Sequence, residues 1–569
     1  HEDFGRYAGI VVSVSDGELD AEETIMITVN GVPGGMDYYL DPVNGSMAND
    51  GSQANPWASL ASVVFTEPTI AEGSTLHLLD GDHGTPYIQN YTFAYGITVA
   101  PLAGHSPTVT SVSLNNCTNW TFDGVMIDGT SSVLTKDGFL VTGDEDSDHI
   151  TFSNCTIRSA ASSSTWTKTD WYNNVKGGID MRADYITIEN TTIKNTYHAL
   201  SLRGNYATAT NNLIDNFAGD AIRGLGSFST YEYNTVRDCY IDDYAIHHDD
   251  GFQAYNLDEG DPKVEGVTLR YNKFLLFEDP ITQFVIDNEL IGTLMQGVII
   301  TDGYADGWTV ENNLIINQQL HGISLYGARN CKVQNNTVIQ HPYFTDTDVP
   351  RVYLDDQGKT GQENFSNIIR NNISGMITTW TFDETSTVEN NIDIDQSVYA
   401  NYSTYFADYT NMDFHLKSGS AAVDAGSNTG VTATDIEGND RVSDGTVDVG
   451  AYEYSAAAGD NARPVLATIG NVQLDEEVSV VKNISATDAD GDALTITVTG
   501  LPSFATFTDN SDGTAVLAVD PEAGDQGTYA TTILVSDGVA TDTEELSIVI
   551  NPLGGANEIP VLSTIANQN

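Results

Sequence analysis

A short apolar strand followed by paired asparagines recurs along the middle of the chain, and no other feature restricts its fold so strongly. The copies read ITFSNCTI (150–157), ITIENTTI (186–193), ATATNNLI (207–214), WTVENNLI (308–315), CKVQNNTV (331–338), NIIRNNIS (367–374) and TVENNI (387–392). Aligned, they place Cys155, Thr191, Asn212, Cys239, Asn272, Asn313, Asn336, Asn372 and Asn391 in one column. Each copy holds strands too short to bury a core alone. Neighbours must therefore stack at the ~4.8 Å spacing of paired strands to close one. An asparagine repeated at a turn then satisfies its amide from rung to rung. Spacing between copies varies from about 20 to 40 residues, so the surplus forms loops on one side of the stack. The pattern predicts an all-β fold, a right-handed parallel β-helix with an asparagine ladder.

The ends share a second repeat. Residues 4–30 and 525–551 both set a Tyr before a β-rich run, then Ser-Asp-Gly, an acidic stretch and an alternating strand ending in Asn. NEIPVLSTIANQN (557–569) matches NARPVLATIGNVQ (461–473), so the chain is expected to start inside one module and stop just inside another, as a segment of a longer array. The expected boundaries are 1–35 for the last two strands of a truncated repeat, 36–455 for the β-helix, 456–556 for a complete repeat and 557–569 for the next. Within the β-helix, 36–106 reads as a cap, 107–395 as rungs and 396–455 as a closing segment. Short alternating strands across 461–556 predict a β-sandwich.

Charge excludes several partners. The 569 residues carry 22 Lys+Arg against 80 Asp+Glu, a formal net charge of −58. Such a surface repels phosphate backbones and anionic lipid, so nucleic acid and membrane are not expected partners. No apolar run reaches the ~18 residues that a membrane span needs. The 4 Cys fall on rungs too far apart for a disulfide, and read as free buried thiols. Asn-x-Ser/Thr triplets at Asn190 and Asn335 belong to the ladder turns, which makes glycosylation the weaker reading there.

Candidate chemistry lies on the strands that follow the asparagine turns: GGIDMR (177–182), HALSLR (198–203), DAIRGL (220–225), DGFQAY (250–255), QGVIIT (296–301) and HGISLY (321–326). Alternation sends Ile179, Leu200, Ile222, Phe252, Val298 and Ile323 inward. One outward column then reads Asp180, Ser201, Arg223, Gln253, Ile299, Ser324. The next reads Arg182, Arg203, Leu225, Tyr255, Thr301, Tyr326, and the position before each strand reads Gly177, His198, Asp220, Asp250, Gln296, His321. His247-His248-Asp249-Asp250 adds two imidazoles and a carboxylate. Arginine is scarce here, so Arg182, Arg203 and Arg223 beside Asp180, Asp220 and Asp250 would suit an anionic sugar chain. Gln253, Tyr255, His321 and Tyr326 would contact it. A solvated face with ordinary rung-to-rung ion pairs is the plainer alternative.

Several stretches resemble known families. Residues 461–556 resemble bacterial cadherin-like and immunoglobulin-like surface repeats, through Thr487-Asp-Ala-Asp-Gly-Asp492 and Val535-Ser-Asp-Gly538. In that loop Asp488, Asp490 and Asp492 alternate as calcium ligands do, although a solvated turn reads equally well. Asp37-Tyr-Tyr-Leu-Asp-Pro, Asn55-Pro-Trp57 and Val447-Asp-Val-Gly-Ala-Tyr-Glu453 resemble the caps and closing segments of secreted β-helix proteins, implying an extracellular or cell-surface location. Asp249-Asp-Gly-Phe252 resembles the Asp-Asp-Gly turn of family 9 pectate lyases, which implies calcium on Asp249, Asp250 and Asp220. No Lys stands at a matching outward position, leaving Arg223, His198 or His248 as base for elimination next to a uronate carboxylate. His321-Gly-Ile-Ser324 with paired Asp is similar to polygalacturonases, which implies hydrolysis instead. The third reading is a glycan-binding or structural module of a large surface adhesin, with neighbouring immunoglobulin-like repeats as its partners. The expectation is an acidic polysaccharide, cleaved by elimination before hydrolysis.

Overall fold

The computed structural model describes residues 5–15, 20–29, 35–240, 249–256, 263–278, 283–287, 289–290, 295–344, 349–357, 361–379, 384–394, 402–442, 445–454, 464–488, 492–538 and 541–552. Most of the first unit is three long sheets. One has thirteen strands, from Asp37–Leu40 to Thr387–Glu389. Two have eleven, from Thr108–Val109 to Ile392–Asp393 and from Tyr87–Gln89 to Met376–Thr379. Neighbours pair in parallel, and each rung gives one strand to each sheet. This is the expected β-helix. Ile179, Leu200, Ile222, Phe252, Val298 and Ile323 lie in one Cα register, fully buried.

Between the thirteen-stranded sheet and the second sheet runs the asparagine ladder. The Nδ2 of Asn212 donates to Asn234 Oδ1 at 2.9 Å, and the same bond repeats from Asn234 to Asn272, Asn313, Asn336, Asn372 and Asn391 at 2.9–3.0 Å. The second amide hydrogen caps a strand carbonyl, as from Asn272 to Tyr231 O at 2.9 Å. Each ladder residue follows one held in the left-handed region, such as Asn211 (φ 54°), Tyr233 (56°), Tyr271 (57°) and Asn312 (54°), where asparagine is the easiest non-glycine residue.

One expected member is corrected. The ladder place assigned to Cys239 belongs to Asn234, because this rung makes its left-handed turn with Tyr233 rather than a first asparagine. Cys239 sits five residues later, opposite Phe217 on the second sheet. All four cysteines are free and buried, and burial pushes the Cys155 and Cys331 thiols up to about 12.

The outer face of the thirteen-stranded sheet carries nine threonines in unbroken register: Thr75, Thr98, Thr121, Thr151, Thr187, Thr208, Thr230, Thr268 and Thr309. A β-branched side chain suits that pleated surface. Late in the chain, residues 424–451 close over the turns of the last rungs. Arg370 donates to Thr429 O, Asn371 to Ser427 O, Asn390 to Ala425 O, and Gly450 N–H bonds Asn371 O.

Two compact units divide the chain, His1–Val398 with Asp424–Ala451, and Tyr399–Val423 with Tyr452–Asn569. The second contains two four-stranded sheets around a core that includes Ile484, Ile496, Leu517, Val535 and Ile548. Antiparallel pairs dominate, with Val472–Asp475 parallel to Thr541–Asn551. This is the expected β-sandwich. Gly5–Ser15 and Asp20–Val29 form an antiparallel pair, as Gly527–Ser536 and Thr541–Asn551 do.

Candidate functional site

The outward columns fall on the third sheet. Asp180, Ser201, Arg223, Gln253, Ile299 and Ser324 share one Cα register, which continues to Tyr353. Before the strands, backbone bonds tie His198 to Gly178, Asp220 to Ala199 and Asp250 to Ala221 at 2.8–3.1 Å. Asp250 faces Gln296, and His321 faces Arg351. The column of Arg182, Arg203 and Tyr255 departs from expectation. A register shift after Ala254 sets Asp302 opposite Tyr255, so Thr301 leaves the row.

The tightest polar group is His198–Asp220–Arg223. The Asp220 backbone N–H donates to His198 Nδ1 at 3.0 Å, and Asp220 Oδ2 accepts from Arg223 Nε at 2.5 Å. Because Nδ1 accepts a backbone proton, neutral His198 carries its own proton on Nε2. Asp220 Oδ1 is buried with no hydrogen-bond partner. A Cβ on Gly219 would come within 2.8 Å of His198 Nδ1, so glycine lets the imidazole lie against the backbone. Tyr197 packs on the imidazole with ring centroids 4.4 Å apart, and Lys136 Nζ lies 4.4 Å from the Tyr197 ring centre.

The arginines do not act as one row. Arg203 Nε donates to Asp180 Oδ1 at 2.6 Å. Burial opposes the Arg203 charge, but Asp180 and Tyr255 outweigh it and hold the guanidinium above the usual arginine range. Arg182 is exposed, and no carboxylate of the described residues is within ion-pair distance of it. Two of the three expected cations are thus already paired.

The outward columns are also less open than alternation implies. Asp249, Asp250, Ser201 and Ser324 are all at most 1% exposed, while Arg203, Arg223, Gln253, Tyr255 and Tyr326 reach the surface in part. His321 Nδ1 lies 2.8 Å from Ser324 Oγ, and Tyr326 meets Tyr353 edge-on. Tyr353 donates its hydroxyl to Asp355.

Two of the three carboxylates expected to hold a cation, Asp249, Asp250 and Asp220, have other neighbours. Asp220 Oδ2 is engaged by Arg223, and Asp249 Oδ2 lies 3.7 Å from the Cys239 thiol. Among the described residues no three His, Cys, Asp or Glu side chains converge on a metal position. His247, His248 and Asp490 lie outside the described residues. The Asp492 N–H donates to Asp488 Oδ1 at 3.2 Å, closing the described part of that loop as an Asp turn. No helix among the described residues is long and apolar enough to cross a membrane.

Lys136, Tyr197, Arg351, Tyr353 and Asp355 were not anticipated. Lys136 reaches Tyr197 from a distant loop, which no local spacing announces. Val352 and Leu354, inward opposite Ile323 and Leu325, carried the alternation that would have exposed the last three.

Comparison with known proteins bears on fold more than on reaction. The family described as "Right handed beta helix region" matches residues 106–274 and 177–393, together half of the chain. The family described as "Bacterial Ig domain" matches 460–549. Chitinase A of Pseudoalteromonas piscicida is 30% identical over 107 residues, 19% of this chain and 13% of that protein. An endo-fucoidan hydrolase from glycoside hydrolase family 107 shares 28% identity over 19% of this chain and 16% of its own, with a TM-score of 0.15. The titin M3 domain shares 14% identity over 16% of this chain and 97% of its own, with a TM-score of 0.13. The chain therefore spans less than a fifth of the chitinase or the hydrolase. By its three parallel sheets and its matched residues, the chain belongs to the right-handed β-helix family and carries a bacterial immunoglobulin domain.

Proposed function

We propose that the third sheet binds an extracellular acidic polysaccharide and cleaves it, by β-elimination in preference to hydrolysis. The observation that carries this reading is the His198–Asp220–Arg223 group on one sheet face, in which the Asp220 carboxylate bonds the Arg223 guanidinium and the Asp220 backbone N–H bonds the His198 imidazole. Arginine stays protonated in proteins, so Arg223 receives a uronate carboxylate and stabilises the charge that develops when the neighbouring carbon loses its proton. Asp220 positions both Arg223 and His198. His198, with its proton on Nε2, donates a hydrogen bond to the departing glycosidic oxygen, which takes its proton from the conjugate acid of the base. His248, two residues before Asp250 in the sequence, is the proposed base. Calcium remains a proposed cofactor on Asp249 and Asp250, and no step is assigned to it.

The chitinase segment supports a carbohydrate-directed role only broadly, because so little of that protein is matched. The test incubates the chain with uronate and sulfated polysaccharides, with and without a chelator. Elimination shows as new unsaturated-sugar absorbance, while new reducing ends without it mean hydrolysis. Asp220→Asn is expected to lower turnover about a hundredfold, with folding intact by circular dichroism. Wild-type turnover in that variant moves the chemistry elsewhere, and no turnover on any polymer ends the enzymatic reading.

A further inference from the structure

The acid-rich composition makes an unpaired cation conspicuous. Among the described residues Arg158, Arg203, Arg223, Arg237, Arg270 and Arg370 each meet a carboxylate. Arg351 does not. It lies half-buried on the third sheet, its guanidinium 4.3 Å from the centre of the Tyr353 ring. Its Nε is buried without an acceptor. The carboxylate two residues beyond Tyr353, Asp355, accepts the Tyr353 hydroxyl. Tyrosine therefore engages that acid while the guanidinium stays over the ring, a placement that keeps its charge and its donor fork.

We infer that Arg351 is a second anion subsite, taking the carboxylate or sulfate of a sugar several residues away from the one at Arg223. This rests on the functional reading above and deepens it. Arg351 extends the row of His198, Asp220, Asp250, Gln296 and His321 by one strand. Four strand steps separate it from the strand of Arg223, a span of ~19 Å at the spacing of paired strands. A disaccharide does not bridge that distance, whereas a longer chain running along the helix axis does. Half-buried Tyr326, edge-on to Tyr353, and His321, bonded to Ser324, give the intervening surface polar and aromatic contacts. The site therefore measures chain length, with Arg351 as its far mark.

The experiment titrates the full chain by calorimetry with size-graded oligouronates and sulfated oligosaccharides, from dimers to octamers. Wild type is expected to gain about tenfold in affinity once the oligomer spans both arginines, the worth of one charge-assisted bidentate contact. In Arg351→Gln that gain disappears, and Arg351→Lys recovers part of it as a point charge. A wild-type chain that binds short and long oligomers equally overturns the subsite, as does an Arg351→Gln variant that keeps the full gain. A wild-type chain that binds none of the probes overturns the functional reading itself.

Discussion

Two columns of buried polar side chains run along this β-helix, and they are satisfied in opposite ways. At the asparagine turn each amide from Asn212 to Asn372 gives both its hydrogens, and each amide oxygen from Asn234 to Asn391 takes two, from the backbone N–H and the Nδ2 of the residue before it in the column. On the third sheet, Asp220 Oδ1 and Gln296 Oε1 are buried without partners. Burial is the same, and the difference lies in completeness. A closed polar network fixes a structure, whereas an open one adds less to rigidity for the same burial.

Breaking the closed column should cost most. Asn272→Leu removes the acceptor of Asn234 N–H and of one Asn234 Nδ2 hydrogen, and the side-chain donor to Tyr231 O and to the Asn313 amide oxygen, which keeps the residue-272 N–H. We expect a loss of about 4 kcal/mol in urea unfolding, since several buried groups lose partners together. A loss under about 1 kcal/mol would mean that the ladder is ornament.

Acid should separate the two sides next. Amides do not titrate, but His341, on the turn that leads into the third sheet, has its pKa lowered to about 4 by burial. Its folded value lies below the ordinary one near 6.5, so the folded state prefers neutral imidazole. Stability from this group is present above about pH 6.5 and is lost as pH falls towards about 4. The loss is on the order of 3 kcal/mol. His341→Leu should flatten that part of the stability–pH curve, and an unchanged curve would remove the contrast.

The smallest effect belongs to the open surface of the thirteen-stranded sheet. Arg270 and Glu232 pair at 2.7 Å, with the Arg270 side chain 40% exposed. Arg270→Ala should cost under about 1 kcal/mol and less in high salt. A larger loss would show that charge outside the ladder also fixes register.

Fold was legible because the pattern of strand, turn and asparagine repeats at one place per rung. The inward column from Ile179 to Ile323 and the outward one from Asp180 to Ser324 follow from alternation alone. Where the reading slipped, a local substitution hid the phase. Tyr233 in place of a first asparagine moved Cys239 into the wrong column, and Thr301 is itself the extra residue, falling between Ile300 and Asp302, which face Ala254 and Tyr255. The site was less legible, since partners are set across rungs and loops. No spacing reveals that Arg203 spends its charge on Asp180 and Tyr255, that Arg182 stands exposed at a strand end, or that Lys136 arrives over Tyr197. Arg351 was legible from the alternation of Val352 and Leu354 on the strand after the Asn335–Asn336 turn, but that strand was not read.

The row of nine threonines has a consequence for growth. Each course of the helix meets the next through the same side chain at the same height, so every course already fits its neighbour's neighbour. Excising the whole course that bears Thr208 would set Thr187 against Thr230 without changing the chemistry of the seam. Such an object can lengthen or shorten by entire courses, as masonry does, while the eight-stranded sandwich beside it in sequence has no removable layer. Length along the axis, and with it the reach of anything lying on the third sheet, is then a quantity that duplication and deletion can tune one course at a time.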